Sequence, residues 1–232
     1  MNTVYIWNIS KTRLSESEIP LSVSQMERER INRIRDREEK RRRIGAKLLL
    51  YTVLGRLHGI SSPDFQRDER GRPFLADYPR LSCGISHSGD YIMCGTATFR
   101  HGTGLGVDIE REILLDWKKL ELFLAPEEKQ MFEHAPEKNH AILLSRLWVS
   151  KEAYLKAFGL GLSQTAPAGI AADTDLLRTS GEIRIVKTHF SPRVNITTGR
   201  LYNYYYALCR SADKNAPDVK LISSLSEIQQ SE

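Results

Sequence analysis

Apolar and polar residues change their spacing repeatedly along this chain, and the changes mark its elements. Val4-Tyr5-Ile6-Trp7 is a short apolar run that predicts an opening strand. Ser22 or Ser24 can then cap a long helix reaching about Leu57, polar in its first half and apolar in its second. Residues 92–97 alternate as a strand does, and further strands are predicted over 106–110, 182–190 and 202–209. A second long helix, from about Asn139 to Phe158, carries Leu143, Leu144, Leu147, Trp148, Leu155 and Phe158. Gly159 and Gly161 then stop it. Val219-Lys220-Leu221-Ile222 alternates well enough for an edge strand, and residues 229–232 are expected to fray.

A turn-rich stretch at 98–104 separates two similar patterns, each passing from a strand signal through a long amphipathic helix back to alternating strands. The expected fold class is therefore α+β in two halves, 1–104 and 105–232, each a long helix packed on an antiparallel sheet, with the active site in a cleft between them. A chain of 232 residues with 41% apolar content can bury a core of that size. The net charge of +5 and pI of about 9.1 suit an acidic partner or a phosphate-rich ligand without identifying either. Cys83, Cys94 and Cys209 are widely spaced in apolar surroundings, which reads as reduced core thiols and a cytoplasmic setting. No signal-peptide layout and no apolar run of the roughly 18–20 residues needed to span a bilayer is present, so a soluble, unexported protein is expected.

Charge in otherwise apolar segments supplies the candidate chemistry. Asp108 and Glu110 lie at i and i+2 in a strand pattern and share one face; Glu152 and Lys156 lie at i and i+4 on one face of a helix. An exposed Glu–Lys pair at that spacing contributes only about 0.2–0.5 kcal/mol and says little alone. Carboxylates gathered about 4 Å apart repel by about 4 kcal/mol per pair at an effective dielectric near 20. Such a cluster favours a hard divalent cation, Mg²⁺ or Mn²⁺. Residues 27–43 hold eight arginines and Lys40 interleaved with acids, mostly readable as solvated i, i+4 pairs, with Arg41-Arg42-Arg43 standing where the helix turns apolar. His87, within Ser86-His87-Ser88-Gly89-Asp90, is either structural or a ligand contact, and no serine elbow or acidic partner makes a hydrolase triad. Trp148 and Tyr202, Tyr204, Tyr205 and Tyr206 read as core or half-core packing rather than base-stacking platforms.

Four motifs then fall in order: Gly71-Arg72-Pro73, Ile85 to Asp90, Gly106-Val107-Asp108-Ile109-Glu110, and Trp-x-x-Lys-Glu-Ala-x-x-Lys-x-x-Gly-x-Gly from Trp148 to Gly161. In order and approximate spacing they resemble the 4′-phosphopantetheinyl transferases, and the length resembles the longer, monomeric surfactin-synthetase-activating type. One departure stands out: Cys83-Gly84 occupies a place where the family often has an aromatic residue and Asn.

The resemblance implies a pseudo-dimer of related halves with coenzyme A lying between them as substrate. It would place Arg41 or Arg42 and Arg72 on the 3′-phosphate, and Ser86 and His87 on the nucleotide phosphates with Gly89 allowing close backbone approach. It implies Mg²⁺, with Mn²⁺ an alternative, held by Asp108, Glu110 and Glu152. Lys156 would face the same phosphates, with Lys151 as a further phosphate contact, and Glu152 would act as general base directly or through a metal-bound water. The implied reaction moves the phosphopantetheine arm to a serine of an apo acyl or peptidyl carrier protein and releases 3′,5′-ADP. The carrier is expected to dock on residues 113–119, unless that segment packs in the core. Two other classes remain open at this point: a metal-dependent phosphohydrolase using the same carboxylates, and a basic nucleic-acid-binding protein using the arginine-rich helix.

Overall fold

The computed structural model describes residues 3–69, 73–98, 104–160, 167–179, 182–183, 185–187, 194–211 and 218–228. Arg72 and the expected strand residues 188–190 lie outside them. The chain divides into two compact units, Met1–Thr98 with Pro217–Glu232, and Phe99–Ala216.

In the first unit, β1 (Thr3–Asn8) leads to α1 (Gln25–Asn32) and α2 (Arg37–His58), then β2 (Phe65–Arg67), β3 (Pro73–Leu75), β4 (Leu81–Ser88) and β5 (Tyr91–Thr98). The single helix expected up to Leu57 is thus two helices. The break has a local cause: Asp36 takes extended backbone and its side chain accepts the Glu39 N–H at 2.6 Å, the N-cap of a new helix with Glu38 and Glu39 in its first turn. Beyond the cap, α2 lays Leu49, Val53 and Leu54 on the sheet against Trp7, Ile92 and Cys94, all essentially buried.

The second unit runs β6 (Gly106–Arg111), α3 (Pro126–His134), α4 (His140–Phe158), β7 (Ala171–Ala172), α5 (Thr174–Thr179), β8 (Glu182–Ile183), β9 (Ile185–Lys187), β10 (Val194–Leu201) and β11 (Tyr204–Ser211). Its main sheet has the order β6-β11-β10-β8 with antiparallel neighbours throughout. The strand expected over 182–190 is two short pieces, because β8 joins this sheet while β9 pairs with β7 in another. Packed on β6, β10 and β11, α4 carries Leu144, Leu147, Ala153 and Tyr154 into a core shared with Phe132, Val194, Ile196 and Tyr205. It ends at Gly159, whose φ of 70° is left-handed.

The last strand, β12 (Asp218–Ile222), is an edge strand as expected, but it lies parallel to β1, giving the first sheet the order β12-β1-β5-β4. That corrects the boundaries read from the sequence: the chain after 217 belongs with the first unit, and that sheet is mixed rather than wholly antiparallel. Arg56 fixes the return by donating to the carbonyls of Leu225, Ser226 and Ile228 at 3.0, 3.2 and 2.7 Å, and Ile228 is fully buried. Each unit therefore carries one long helix on a four-stranded sheet, the α+β architecture expected.

All three cysteines are free, and burial raises each thiol above its usual range, as core thiols should be. Among the described residues no helix is long and apolar enough to cross a membrane.

Candidate active site

Contact between β6 and α4 makes the site. Gly106, Asp108 and Glu110 alternate onto one face of β6. A Cβ on Gly106 would fall inside the carbonyl of Ala153 and within 2.6 Å of the Ala157 amide nitrogen, so strand and helix backbones touch here only because residue 106 is glycine. One step along the same face, Asp108 meets Lys156: Nζ donates to Oδ1 at 2.6 Å, with Asp108 1% exposed and Oδ2 also withdrawn from solvent. Glu152 lies one helical turn before Lys156 on the same side of α4.

Electrostatics report the proximity of all four. Burial, then the charge of Asp108 and, more weakly, that of Glu110 raise the Glu152 carboxyl to about 7, while Lys156 opposes the shift. The structure thus joins Lys156 to Asp108 and sets Glu152 beside them, with Glu110 two residues further along the same face of β6. The sign of the linkage follows from the raised value. Between the ordinary carboxylate range and about pH 7 the folded protein holds a proton that the unfolded chain has lost. Stability of the metal-free protein is therefore expected to fall as pH rises through that window. Denaturant unfolding in a chelator at pH values between about 5 and about 8 measures it. Glu152→Gln should flatten the slope, and an equally steep slope in that variant would remove Glu152 as its source.

Carboxylates that act on one another suit a hard divalent cation by their donor chemistry. Yet among the described residues no three His, Cys, Asp or Glu side chains are gathered as ligands of one ion. In this arrangement Lys156, bonded to Asp108, supplies a positive charge of the kind the sequence reading assigned to a metal held by Asp108, Glu110 and Glu152.

Lys151 requires a correction. It precedes Glu152 by one residue, about 100° around the helix, and is fully buried on another side of α4. Its ammonium donates to Glu128 at 2.6 Å, to the Phe123 carbonyl at 2.8 Å and to the Pro167 carbonyl at 3.0 Å, which uses all three protons. No donor is left for a phosphate. Glu128, also fully buried, in turn accepts the Ala125 and Ala172 amides at 2.8 and 2.9 Å. Burial raises the Glu128 carboxyl and lowers the Lys151 ammonium, while their mutual attraction opposes both shifts. Sequence reading missed Glu128 because nothing in its local pattern separates it from the solvated acids around it.

In the first unit, β4 carries Ser86, buried, and His87, half-buried. Gly89, φ 51°, makes the tight β4–β5 turn, which already accounts for the glycine without a ligand. Arg41 donates to the Ile9 carbonyl, to Glu38 at 3.0 Å, and lies 3.6 Å from Asp90, bracing α2 against the chain after β1 and the β4–β5 turn. Arg42 and Arg43 share Glu39 at 3.1 and 2.7 Å. Burial raises the Glu39 carboxyl, but hydrogen bonds from Arg43 and Arg42 and the charge of His87 outweigh it and hold the group below its usual range. Arg42 and His87 therefore share a neighbourhood, whereas Arg41 is a framework residue. Arg30 on Glu27 and Arg33 on Glu29 are local pairs of the kind expected, whereas Lys40 on Glu16 and Lys47 on Glu27 join separate elements, which local spacing does not give.

Comparison with known proteins agrees with this division. A profile of the 4′-phosphopantetheinyl transferase superfamily matches residues 104–209, and a profile of the 4′-phosphopantetheinyl transferase N-terminal region matches residues 7–98. Among curated relatives, the 4′-phosphopantetheinyl transferase HetI of Nostoc sp. is 28% identical over 179 residues, 72% of this chain and 73% of that protein. The slr0495 protein of Synechocystis sp., named for the same family, is 30% identical over 183 residues, 74% of this chain and 72% of its own. The 4′-phosphopantetheinyl transferase Sfp of Bacillus subtilis is 26% identical over 143 residues, 61% of this chain and 62% of that protein.

Proposed function

The chain belongs to the 4′-phosphopantetheinyl transferase superfamily, and we propose that it moves the phosphopantetheine arm of coenzyme A to a serine of an apo acyl or peptidyl carrier protein, releasing 3′,5′-ADP. The observation that carries the site assignment is the Lys156–Asp108 contact with Glu152 beside it. The serine oxygen attacks the β-phosphorus of coenzyme A, and the bond from that phosphorus to the bridging oxygen breaks. Glu152 takes the serine proton, standing one helical turn from Lys156 and beside Asp108. Lys156 turns its charge toward the departing 3′,5′-ADP and stabilises it or gives it a proton.

Asp108, Glu110 and Glu152 would hold Mg²⁺, or Mn²⁺ in its place. When bound, the ion neutralises charge on the pyrophosphate oxygens. From the first unit, Arg42, His87 and Ser86 bind coenzyme A phosphates together with Arg72, and Arg41 holds α2 in place for them. The carrier docks on residues 113–119, where Leu114 is 80% and Leu115 54% exposed while Trp117 is buried against Phe132 and anchors the segment. The enzyme acts as a cytoplasmic monomer. Acidic partners on much of the arginine-rich helix weigh against nucleic-acid binding.

Mass spectrometry of an apo-carrier incubated with coenzyme A, Mg²⁺ and the protein tests the reading. The carrier is expected to gain one phosphopantetheine mass, and Asp108→Ala or Glu152→Ala should slow the gain by at least about a hundredfold. Hydrolysis of coenzyme A with no gain on several carriers would instead identify a phosphohydrolase.

A further inference from the structure

Tyr202 is the one described non-glycine residue with positive φ, 53°, and its side chain is 76% exposed. A bulky aromatic residue in left-handed backbone is disfavoured, and such strain persists only where the surroundings over-determine it. They do so here. Arg200 donates to the Tyr202 carbonyl at 2.8 Å while its guanidinium lies over the Tyr205 ring, 5.3 Å from the centroid. The Glu112 amide donates to the Asn203 carbonyl at 2.7 Å. Arg111 donates to the Tyr204 hydroxyl at 2.9 Å. The β10–β11 turn is thus clamped from both flanking strands and from the chain leaving β6, and it presents one aromatic ring to solvent. Core or half-core packing, expected for all four tyrosines, holds for Tyr204, Tyr205 and the half-buried Tyr206 but not for Tyr202.

The position of the turn gives that ring a use. Tyr205 pairs with Glu110, so Tyr202 lies about 10 Å along the sheet from an acidic residue of the candidate site. A protein that presents a serine to that site covers a standard footprint of about 800 Å², or about 16 Å in radius, on this unit. The turn falls within it. The Glu112–Asn203 hydrogen bond also ties the turn to the residue just before the proposed docking segment 113–119, whose Leu114 and Leu115 are exposed.

We infer that the β10–β11 turn is a second carrier-binding element, with the Tyr202 ring as a preorganised apolar anchor for the carrier protein. This rests on the transferase reading. A rigid aromatic side chain held in its bound conformation loses little freedom on binding, which is where interface anchors gain their effect.

Tyr202→Gly and Tyr202→Asn test it, because both residues accept left-handed backbone while removing the ring. Transfer is measured with a purified apo acyl carrier protein and an apo peptidyl carrier domain, alongside thermal unfolding. Both variants should unfold at the wild-type temperature or slightly above it. For at least one of the carriers, KM should rise about tenfold, with KM for coenzyme A and kcat within about twofold of wild type. An unchanged carrier KM overturns the inference while leaving the transferase reading intact. So does a rise confined to the glycine variant, which would trace the effect to a loosened turn. A change in elution volume of the protein alone would assign the ring to self-association instead. Failure of the wild-type protein to modify either carrier would refute the transferase reading itself.

Discussion

Lys151→Met is expected to lower the unfolding temperature by about ten degrees or more, corresponding to about 3–5 kcal/mol. Methionine fills nearly the same volume, so the loss is not one of packing. Removing the ammonium strips Glu128 of its counter-charge in a place where neither side chain is solvent-exposed. It also leaves the carbonyls of Phe123 and Pro167 without that donor. Glu128→Leu should be as damaging from the other side, since the Ala125 and Ala172 amides lose their acceptor along with the charge. The pair ties α4 to the chain before α3 and to β7, so its stability effect precedes any effect on chemistry. A phosphate-binding lysine predicts the reverse, a normal unfolding temperature with raised KM for coenzyme A. Thermal unfolding monitored by circular dichroism decides between them, and a shift below about two degrees would falsify the structural assignment.

The behaviour of Lys151 also shows where sequence reading stopped. Spacing along α4 correctly put Glu152 and Lys156 on one face, because helical periodicity is a property of the backbone alone. It also put Asp108 and Glu110 on one face of β6 for the same reason. What faces each side depends on contacts distant in sequence, and Lys151 is satisfied by residues 123, 128 and 167. Similar limits explain the other differences. The break before α2 was locally legible, since Asp36 followed three residues later by Glu39 is a capping signal. No Gly or Pro interrupts residues 25–44, and that continuity outweighed it. The parallel seat of β12 beside β1 was not legible, because strand alternation gives a face and not a partner. Tyr202 shared its pattern with buried neighbours, and only the backbone turn distinguishes it.

Gly106→Ala is expected to reduce transfer by at least about a hundredfold in whatever fraction folds, and to destabilise the protein by about 3 kcal/mol. The added Cβ meets backbone atoms, the carbonyl of Ala153 and the amide of Ala157, not the movable end of a side chain. Relief therefore requires β6 to move away from α4. Asp108 sits two residues along on the same face, joined to Lys156 at 2.6 Å, and cannot follow both elements once they part. A displacement of about 1 Å is enough to break a charge-assisted hydrogen bond of that length and to misplace Glu152 relative to the attacking oxygen. Gly45→Ala serves as the contrast, because the Cβ there meets the ends of the Ile92 and Leu14 side chains, which can turn aside. That variant should lose stability while the folded protein keeps nearly wild-type turnover. Equal turnover in the two alanine variants, normalised to folded protein, would show that close approach of β6 to α4 is not what sets the catalytic geometry.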